Sequence, residues 1–430
     1  MTATSKSVAF LGLCLAAAAP LAAARAADAY PDPVANPSSP LMLAGDWVPA
    51  NTREIDFKKL PVIPSQHSIV HDVRDQEGNR VNQHNYLTFH AGRYWAMWSD
   101  GPGVPNKKAA AEKGSHRNVM PQHDKPPAPG QAPNKVFGAT SPDGVTWSKP
   151  FDIAGEPAAG HGWMARGFWV RDGKLLALAS QFEPPDFQGP GLSLQAFELV
   201  DAERPTWKHA GLVCDDAINN FPPQKLPTGE WMVSRRNGRW ETFTMIGGVK
   251  AIDDWTQIPI VGTAGKDGFF KPDEPIWWPL PDGKLVFLFR DNSKGGFLYR
   301  AFSTDDGRSW SEPVQTNFPD ATSKFSGCRL SDGRYVLASN PRPGALKPDP
   351  KPGSPRGYPG KRDPLVLSVS PDGLVFRQMG VLVAGRHVDY PHVIEHDGHL
   401  FVAFASAKQS CEVLKIKIAD LDVLQPVAAR

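Results

Sequence analysis

Eight residues near the middle of the chain, Ser303-Thr304-Asp305-Asp306-Gly307-Arg308-Ser309-Trp310, end a module that begins at Asp273 and recurs along the sequence. In that module an apolar run with Ile276, Trp277 and Trp278 reaches a Pro281-Asp282-Gly283 turn, and Leu285 to Arg290 return from it. A polar loop, Asp291 to Gly296, leads to a third apolar run, Phe297 to Phe302. Short apolar runs bounded by Asp-Gly turns are strand and hairpin signals. The closing motif, S-x-D-x-G-x-x-W, has structural chemistry. Its Asp and Ser oxygens can cap backbone N–H groups, its Gly permits positive φ, and its Trp can pack between sheets. Replacing Asp306 by alanine is expected to lower stability with little direct effect on chemistry.

The module repeats, and the repeat governs the architecture. Variants of the motif stand at Ser141 to Trp147 and, with Phe for Trp, at Ser370 to Phe376. Tight turns before a returning apolar strand fall at Gly92, Gly173, Gly229, Gly283, Gly333 and Gly398, 50 to 81 residues apart. That spacing suits a four-stranded antiparallel unit. The fold class is therefore all-β: a β-propeller of four-stranded blades, one domain over residues 43–430, with six inner hairpins countable. The stretch Leu43 to Val73 either closes the ring or contributes a seventh blade. A solenoid is the alternative for a repeat of this length. The motifs resemble the Asp boxes of the sialidase-like β-propellers, and these favour the closed ring.

Composition narrows the setting. With 430 residues, 41% of them hydrophobic, the chain can bury a large core. Residues 1–26 read as a secretory leader: Lys6, an apolar run from Val8 to Ala24, and Ala24-Arg25-Ala26 as the cleavage site. Leu13 precedes Cys14, so a lipoprotein anchor is not expected. A periplasmic or secreted protein follows. Cleavage would leave 45 basic and 45 acidic residues, a balance that argues against nucleic acid or a charged membrane as partner. Cys214, Cys328 and Cys411 then remain, too few for a disulfide scaffold or a cysteine zinc site. No cofactor or metal is expected, since His116 and His123 lack ligand spacing. Residues 27–42, rich in Pro and Ala, are expected to be disordered.

In a propeller, the loops leading into each innermost strand and the loops leaving each second strand share one face, and the Asp-box turns lie at the other. The leading positions carry His84, Arg166, Asn220, Glu274, Lys324, Tyr390 and His392. The leaving positions include Asp100, Glu183, Arg235, Arg236, Glu241, Arg290, Asp291, Asn340, Arg342, Arg362 and Lys408. Two long polar insertions, Asp100 to Asn134 and Pro341 to Arg362, leave second strands on this face and would wall the same mouth. Convergent guanidinium groups in a concave site suit an anionic substrate. Plainer roles compete with these. An Arg after a strand is ordinarily solvated or salt-bridged, and His392 could satisfy a buried hydrogen bond. Trp277 and Trp278 could stack on sugar rings, but at least one should be core.

Several stretches carry a closer resemblance: QHN at Gln83 to Asn85, PDGKLVFLFRDNS, RDPLVLSVSPDGLVF and YPHVIEHDGHLFVAFASAKQSCEVLKIKIADLD. Over roughly residues 65–420 they are similar to secreted propellers that cleave L-rhamnose-α-1,4-D-glucuronate, described as rhamnosidases and later as lyases. That family has seven blades. The resemblance implies an acidic oligosaccharide or polysaccharide substrate, such as rhamnose-capped arabinogalactan, cleaved by β-elimination. Among the residues of the shared face, elimination would use Arg166 and Arg235 to neutralise the carboxylate and His84 with Tyr390 or His392 as base and acid, so His84, Arg166, Arg235, Tyr390 and His392 are the catalytic candidates. Substrate binding falls to Asn220, Arg236, Glu274, Trp277, Arg290, Lys324, Arg342 and Lys408. An exo-glycosidase of rhamnosidase or sialidase type is the alternative, as is a non-catalytic glycan-binding propeller. True sialidases carry an F-R-I-P motif, which is absent here, and His84 stands where the first arginine of their triad is expected.

Overall fold

The computed structural model describes residues 39–74, 80–105, 118–119, 133–183, 192–216, 218–237, 239–261 and 270–424. Six four-stranded antiparallel sheets form the blades of a propeller. Blade 1 comprises Arg80–His90, Arg93–Pro102, Lys135–Ser141 and Phe151–Asp152, innermost strand first. Blade 2 follows as Gly162–Arg171, Lys174–Phe182, Ser193–Asp201 and Thr206–Cys214. Blade 3 is Gln224–Lys225, Trp231–Arg236, Thr242–Gly247 and Trp255–Val261. Blade 4, the module met first in the sequence, is Pro272–Pro279, Leu285–Asp291, Phe297–Ser303 and Val314–Pro319. Blade 5 is Ser326–Arg329, Tyr335–Ser339, Leu365–Ser370 and Gln378–Val383.

Blade 6 takes three strands from the C-terminal region, Val388–His396, His399–Ser406 and Ser410–Lys417. Its outermost strand, Gln66–Asp72, comes from the N-terminal region. The stretch Leu43 to Val73 therefore closes the ring and adds no seventh blade. The count is six, one fewer than the rhamnoside-lyase resemblance implies.

Before it reaches blade 6, the N-terminal segment straps blades 4 and 5. Leu43 bridges in parallel to Phe376, and Val62 to Val381. The Asn317 side chain accepts from Met42 N at 2.8 Å and Leu43 N at 2.9 Å, and donates to Leu43 O at 2.9 Å. The buried Arg300 guanidinium donates to Leu41 O at 2.8 Å and to Ser39 O. Residues 39–42 thus correct the expectation of a disordered 27–42. Their carbonyls serve a buried cation, and Met42 sits in the core. The leader and residues 27–38 lie outside the described residues.

Strand alternation decides the fate of the two tryptophans. Trp277 packs toward blade 3 with Leu226, Met232 and Ile246. Trp278 packs toward blade 5, its indole N–H donating to Gly373 O at 3.1 Å. Both are core, so Trp277 is no sugar platform.

The three Asp boxes occupy the turns between third and fourth strands of blades 1, 4 and 5. In each, the Ser hydroxyl donates to the Asp carboxylate: Ser141 to Asp143 at 2.9 Å, Ser303 to Asp305 at 2.8 Å, Ser370 to Asp372 at 2.7 Å. The carboxylate then accepts backbone N–H groups of the turn, such as Thr146 N on Asp143 at 2.7 Å. Those donors pull Asp143 down to about 2. In blade 4 the acid is Asp305, which accepts Ser309 N at 2.8 Å. Asp306, the residue singled out from sequence, occupies a left-handed position at φ 55°. We therefore expect Asp305→Ala to cost about 1–2 kcal/mol in urea unfolding. Asp306→Gly should leave stability unchanged or slightly raised, because glycine tolerates that φ. A larger loss for Asp306→Gly than for Asp305→Ala would contradict this account of the turn.

Candidate active site

The innermost strands are irregular at one height. Register breaks fall between Gln83 and Tyr86, Ala165 and Gly167, Asp273 and Ile276, and Asp389 and His392. Within these bulges His84, Glu274 and Tyr390 have φ of 59°, 45° and 54°, and Thr322, just ahead of the blade 5 strand, has 59°. Left-handed backbone at non-glycine residues is costly and clusters at functional sites. Each bulge re-aims a polar side chain where the blades converge. Arg166 sits in the blade 2 bulge beside Gly167, and Asn219-Asn220 precede the blade 3 strand.

His84 and Tyr390 meet ring to ring, with centroids 4.4 Å apart and planes at 33°. His84 is buried, and its Nδ1 has no hydrogen-bond partner among the described residues. Burial, reinforced by the charges of Arg166, Lys324, Lys408 and Arg290, holds its imidazole well below the usual 6.5. It is therefore neutral at neutral pH and carries an available lone pair or proton. Lys408 reaches over the Tyr390 ring at 5.4 Å.

Arg166 is fixed by Ser180 Oγ on Nε and by Asn220 Oδ1 on a terminal nitrogen, each at 2.9 Å. Asn220 O accepts the Tyr86 hydroxyl at 2.9 Å. Arg236 donates to Asp273 at 2.7 Å and lies 4.0 Å over the Trp240 ring. Arg290 is ion-paired with Glu274. Two of the expected arginines are thus neutralised by blade 4 carboxylates. Among the described residues, Arg166, Lys324 and Lys408 have no ion-pair partner.

Four expectations need correction. Arg235 turns to the outside of blade 3, donating to Gln257 Oε1 at 3.1 Å and Asp216 O at 2.7 Å over the Phe243 ring. Strand alternation sends it opposite to Arg236. His392 accepts Leu87 N–H on Nδ1 at 3.2 Å and packs edge-on against Tyr86. Burial pushes it down to about 3, so it is a neutral joint between blades 1 and 6 rather than a catalytic acid. Arg342 is exposed on the outer rim, donating to Asp363 O at 3.2 Å. Lys324 has no exposed surface and lies beneath the site rather than lining it.

Of the two insertions, most of the first lies outside the described residues. The second folds back on blade 4 through Arg356, which donates to Asp291 at 2.6 Å and Tyr299 Oη at 3.0 Å. The sequence reading overlooked Tyr86, the buried amides of Asn82 and Asn85, and Asp320. Neither amide side chain has a partner among the described residues. Burial raises Asp320 to about 7. Asn85 closes the quoted Gln83-His84-Asn85 motif and Asn82 precedes it, so both could have been drawn in from there. Nothing in the sequence marks Asp320.

Residues 127–402 match the BNR repeat-like domain family, and the chain belongs to that family. No curated protein sequence matches the chain. Among solved structures, a Dyadobacter fermentans protein of unknown function is 16% identical with a TM-score of 0.58, over 83% of this chain and 100% of its own. A leech intramolecular trans-sialidase and the NanB sialidase of Streptococcus pneumoniae are each 11% identical, with TM-scores of 0.58 and 0.57. Both cover 83% of this chain and 71% of their own. At such identities the likeness is one of fold: a sialidase-like β-propeller.

The bulges give a stability contrast. A Cβ at Gly167, where φ is 106°, would lie 2.8 Å from Pro222 Cδ. Gly167→Ala should therefore cost more than about 2 kcal/mol in denaturant unfolding. Thr322→Gly, which relieves a β-branched residue at positive φ, should hold or raise stability. Comparable losses in both variants would show that these positive-φ positions are not strained as described.

Proposed function

We propose that this propeller is a carbohydrate-active enzyme that cleaves an acidic glycan at a uronate by β-elimination. One observation carries the reading. A buried, neutral histidine lies against Tyr390 and near Arg166, Lys324 and Lys408; among the described residues its Nδ1 has no hydrogen-bond partner and these three cations no ion-pair partner. That arrangement suits proton transfer next to an anionic sugar.

In the step, positive charge from Arg166 and Lys408 offsets the uronate carboxylate and so acidifies the C5 proton, with Asn220 orienting the guanidinium. His84 removes that proton. The electron pair forms the C4=C5 double bond and expels O4, which takes a proton from the Tyr390 hydroxyl. The terminal sugar leaves with a free hydroxyl, and the uronate becomes unsaturated. Rhamnose-capped glucuronate glycan is the substrate we put forward. With residues 1–26 as a leader, the reaction would take place in the periplasm or outside the cell.

Hydrolysis is the second reading, favoured by the sialidases among the structural neighbours. A tyrosine nucleophile would need a carboxylate to activate it. Glu274 is the nearest counterpart, but its charge is committed to Arg290.

Incubation with rhamnose-capped arabinogalactan separates the readings. Elimination releases rhamnose with a rise in ultraviolet absorbance, whereas hydrolysis releases it without one. His84→Ala should cut the elimination rate about 10²–10⁴-fold without unfolding the protein. Full activity in that variant would remove His84 from the mechanism. Reducing the uronate to a neutral sugar should weaken binding at least about tenfold, since charged guanidinium–carboxylate contacts are worth about 1.5–3 kcal/mol. Equal rates on acidic and reduced substrate would exclude elimination. Turnover should also persist at pH values below the titration of a free imidazole, because His84 stays neutral there.

A further inference from the structure

We propose that Lys324 is a positioning residue for this site: enclosed beneath it on the Tyr86 and Phe221 rings, it holds a positive charge under the convergence of blades at which His84 and Tyr390 meet. Lys324 belongs to blade 5, yet its Nζ lies 4.2 Å from the centroid of Tyr86 in blade 1 and 4.8 Å from that of Phe221, which leads into blade 3. The side chain therefore spans the convergence of the blades. It has no solvent exposure, and Nζ has no hydrogen-bond partner among the described residues.

Such a placement is costly. A buried ammonium ordinarily needs a carboxylate, and cation–π contact replaces only part of its lost hydration. The acid that acts on it most, Glu274, is already paired with Arg290. A methionine would fill the same space without the electrostatic penalty. The amine is thus better explained by its charge than by its packing.

The groups acting on one another here can be named blade by blade. His84 and Tyr86 come from blade 1, Arg166 from blade 2, Asp273, Glu274 and Arg290 from blade 4, Asp320 from the loop into blade 5, and Tyr390, His392 and Lys408 from blade 6. Asp320, raised to about 7 by burial, acts on Arg290 in the same range as Lys324, so the inflection that reports the amine is the one lost in Lys324→Met. Burial opposes a proton on His84 most, and the charges of Arg166, Lys324, Lys408 and Arg290 add to it. Arginine holds its charge throughout the working range. Lys324 does not, since burial lowers it to about 7. As pH falls through neutrality, Lys324 takes up its proton before His84 does. Its new charge then resists protonation of His84, so the histidine remains a base at lower pH.

The catalytic consequence rests on the elimination reading, but the titration does not require it. With histidine rings labelled by ¹⁵N, the His84 signals can be assigned by their loss in His84→Gln and followed against pH. Lys324→Met should move the His84 midpoint upward by about one pH unit. Lys324→Arg should keep it low. The wild-type His84 signals should also show a second, smaller inflection near pH 7 that the methionine variant lacks. An unchanged midpoint in Lys324→Met would overturn the proposal. If that variant does not fold, absence of the inflection in the wild type would overturn it equally. A shifted midpoint in a protein that turns over no glycan would leave this inference standing and dismiss the elimination reading.

Discussion

Ring closure is the constraint on which everything else depends. Six sheets arranged about an axis hold their geometry only if the last is tied to the first, and an unpaired edge strand would invite association. Here Gln66–Asp72 completes blade 6 by pairing with Ser410–Lys417. Side chains reinforce the backbone ladder. Glu412, fully buried, receives His67 Nε2 at 2.6 Å, Arg386 at 2.9 Å and the Ser410 hydroxyl at 2.6 Å. Asp100 of blade 1 receives His71 of the closing strand at 3.2 Å and Arg80 of its own blade at 3.0 Å. The closing strand is thus anchored on both sides of the seam. His84 and Tyr390 face each other from blades 1 and 6, so the proposed proton-transfer pair exists only because the seam is shut.

Behind that pair lies a shared floor. Tyr86 bonds to blade 3 through Asn220 O, supports the blade 5 amine on its ring and meets His392 of blade 6 at its edge. Asn220 in turn holds Arg166 of blade 2. One tyrosine therefore links the innermost parts of most blades. The left-handed bulges directly above this floor are affordable because the surrounding contacts over-determine them.

Much of this was legible in the sequence, for reasons of period and turn chemistry. Asp-Gly turns and Asp boxes recur at blade spacing, so all six hairpins could be counted, and His84, Arg166, Asn220, Glu274 and Tyr390 could be assigned to one face. Strand count fails as a guide to closure, because the sixth blade draws its outer strand from the opposite end of the chain. Side-chain direction was the weaker part. Arg235 and Arg236 are adjacent and chemically alike, yet alternation sends one to the rim and the other to Asp273. The bulges were also unread, although Glu274-Pro275 and Tyr390-Pro391 mark them: proline restricts the residue before it and interrupts the ladder.

The corrected site is less basic than its sequence suggests, and that sharpens the electrostatic argument. Arg236 and Arg290 are held by Asp273 and Glu274, Arg362 by Asp389, and Arg235 and Arg342 by carbonyls away from the centre. These cations are spent on scaffold. What remains is a small set without ion-pair partners, Arg166, Lys324 and Lys408, disposed around one neutral imidazole. Charges already fixed in a desolvated surround need no reorganisation when an anion arrives, so few of them suffice. The charges that would draw in a carboxylate also add to the burial that keeps His84 unprotonated. In the proposed reaction, attraction of an acidic sugar and preparation of the base would therefore be one electrostatic property of the site, and removing either should disturb the other.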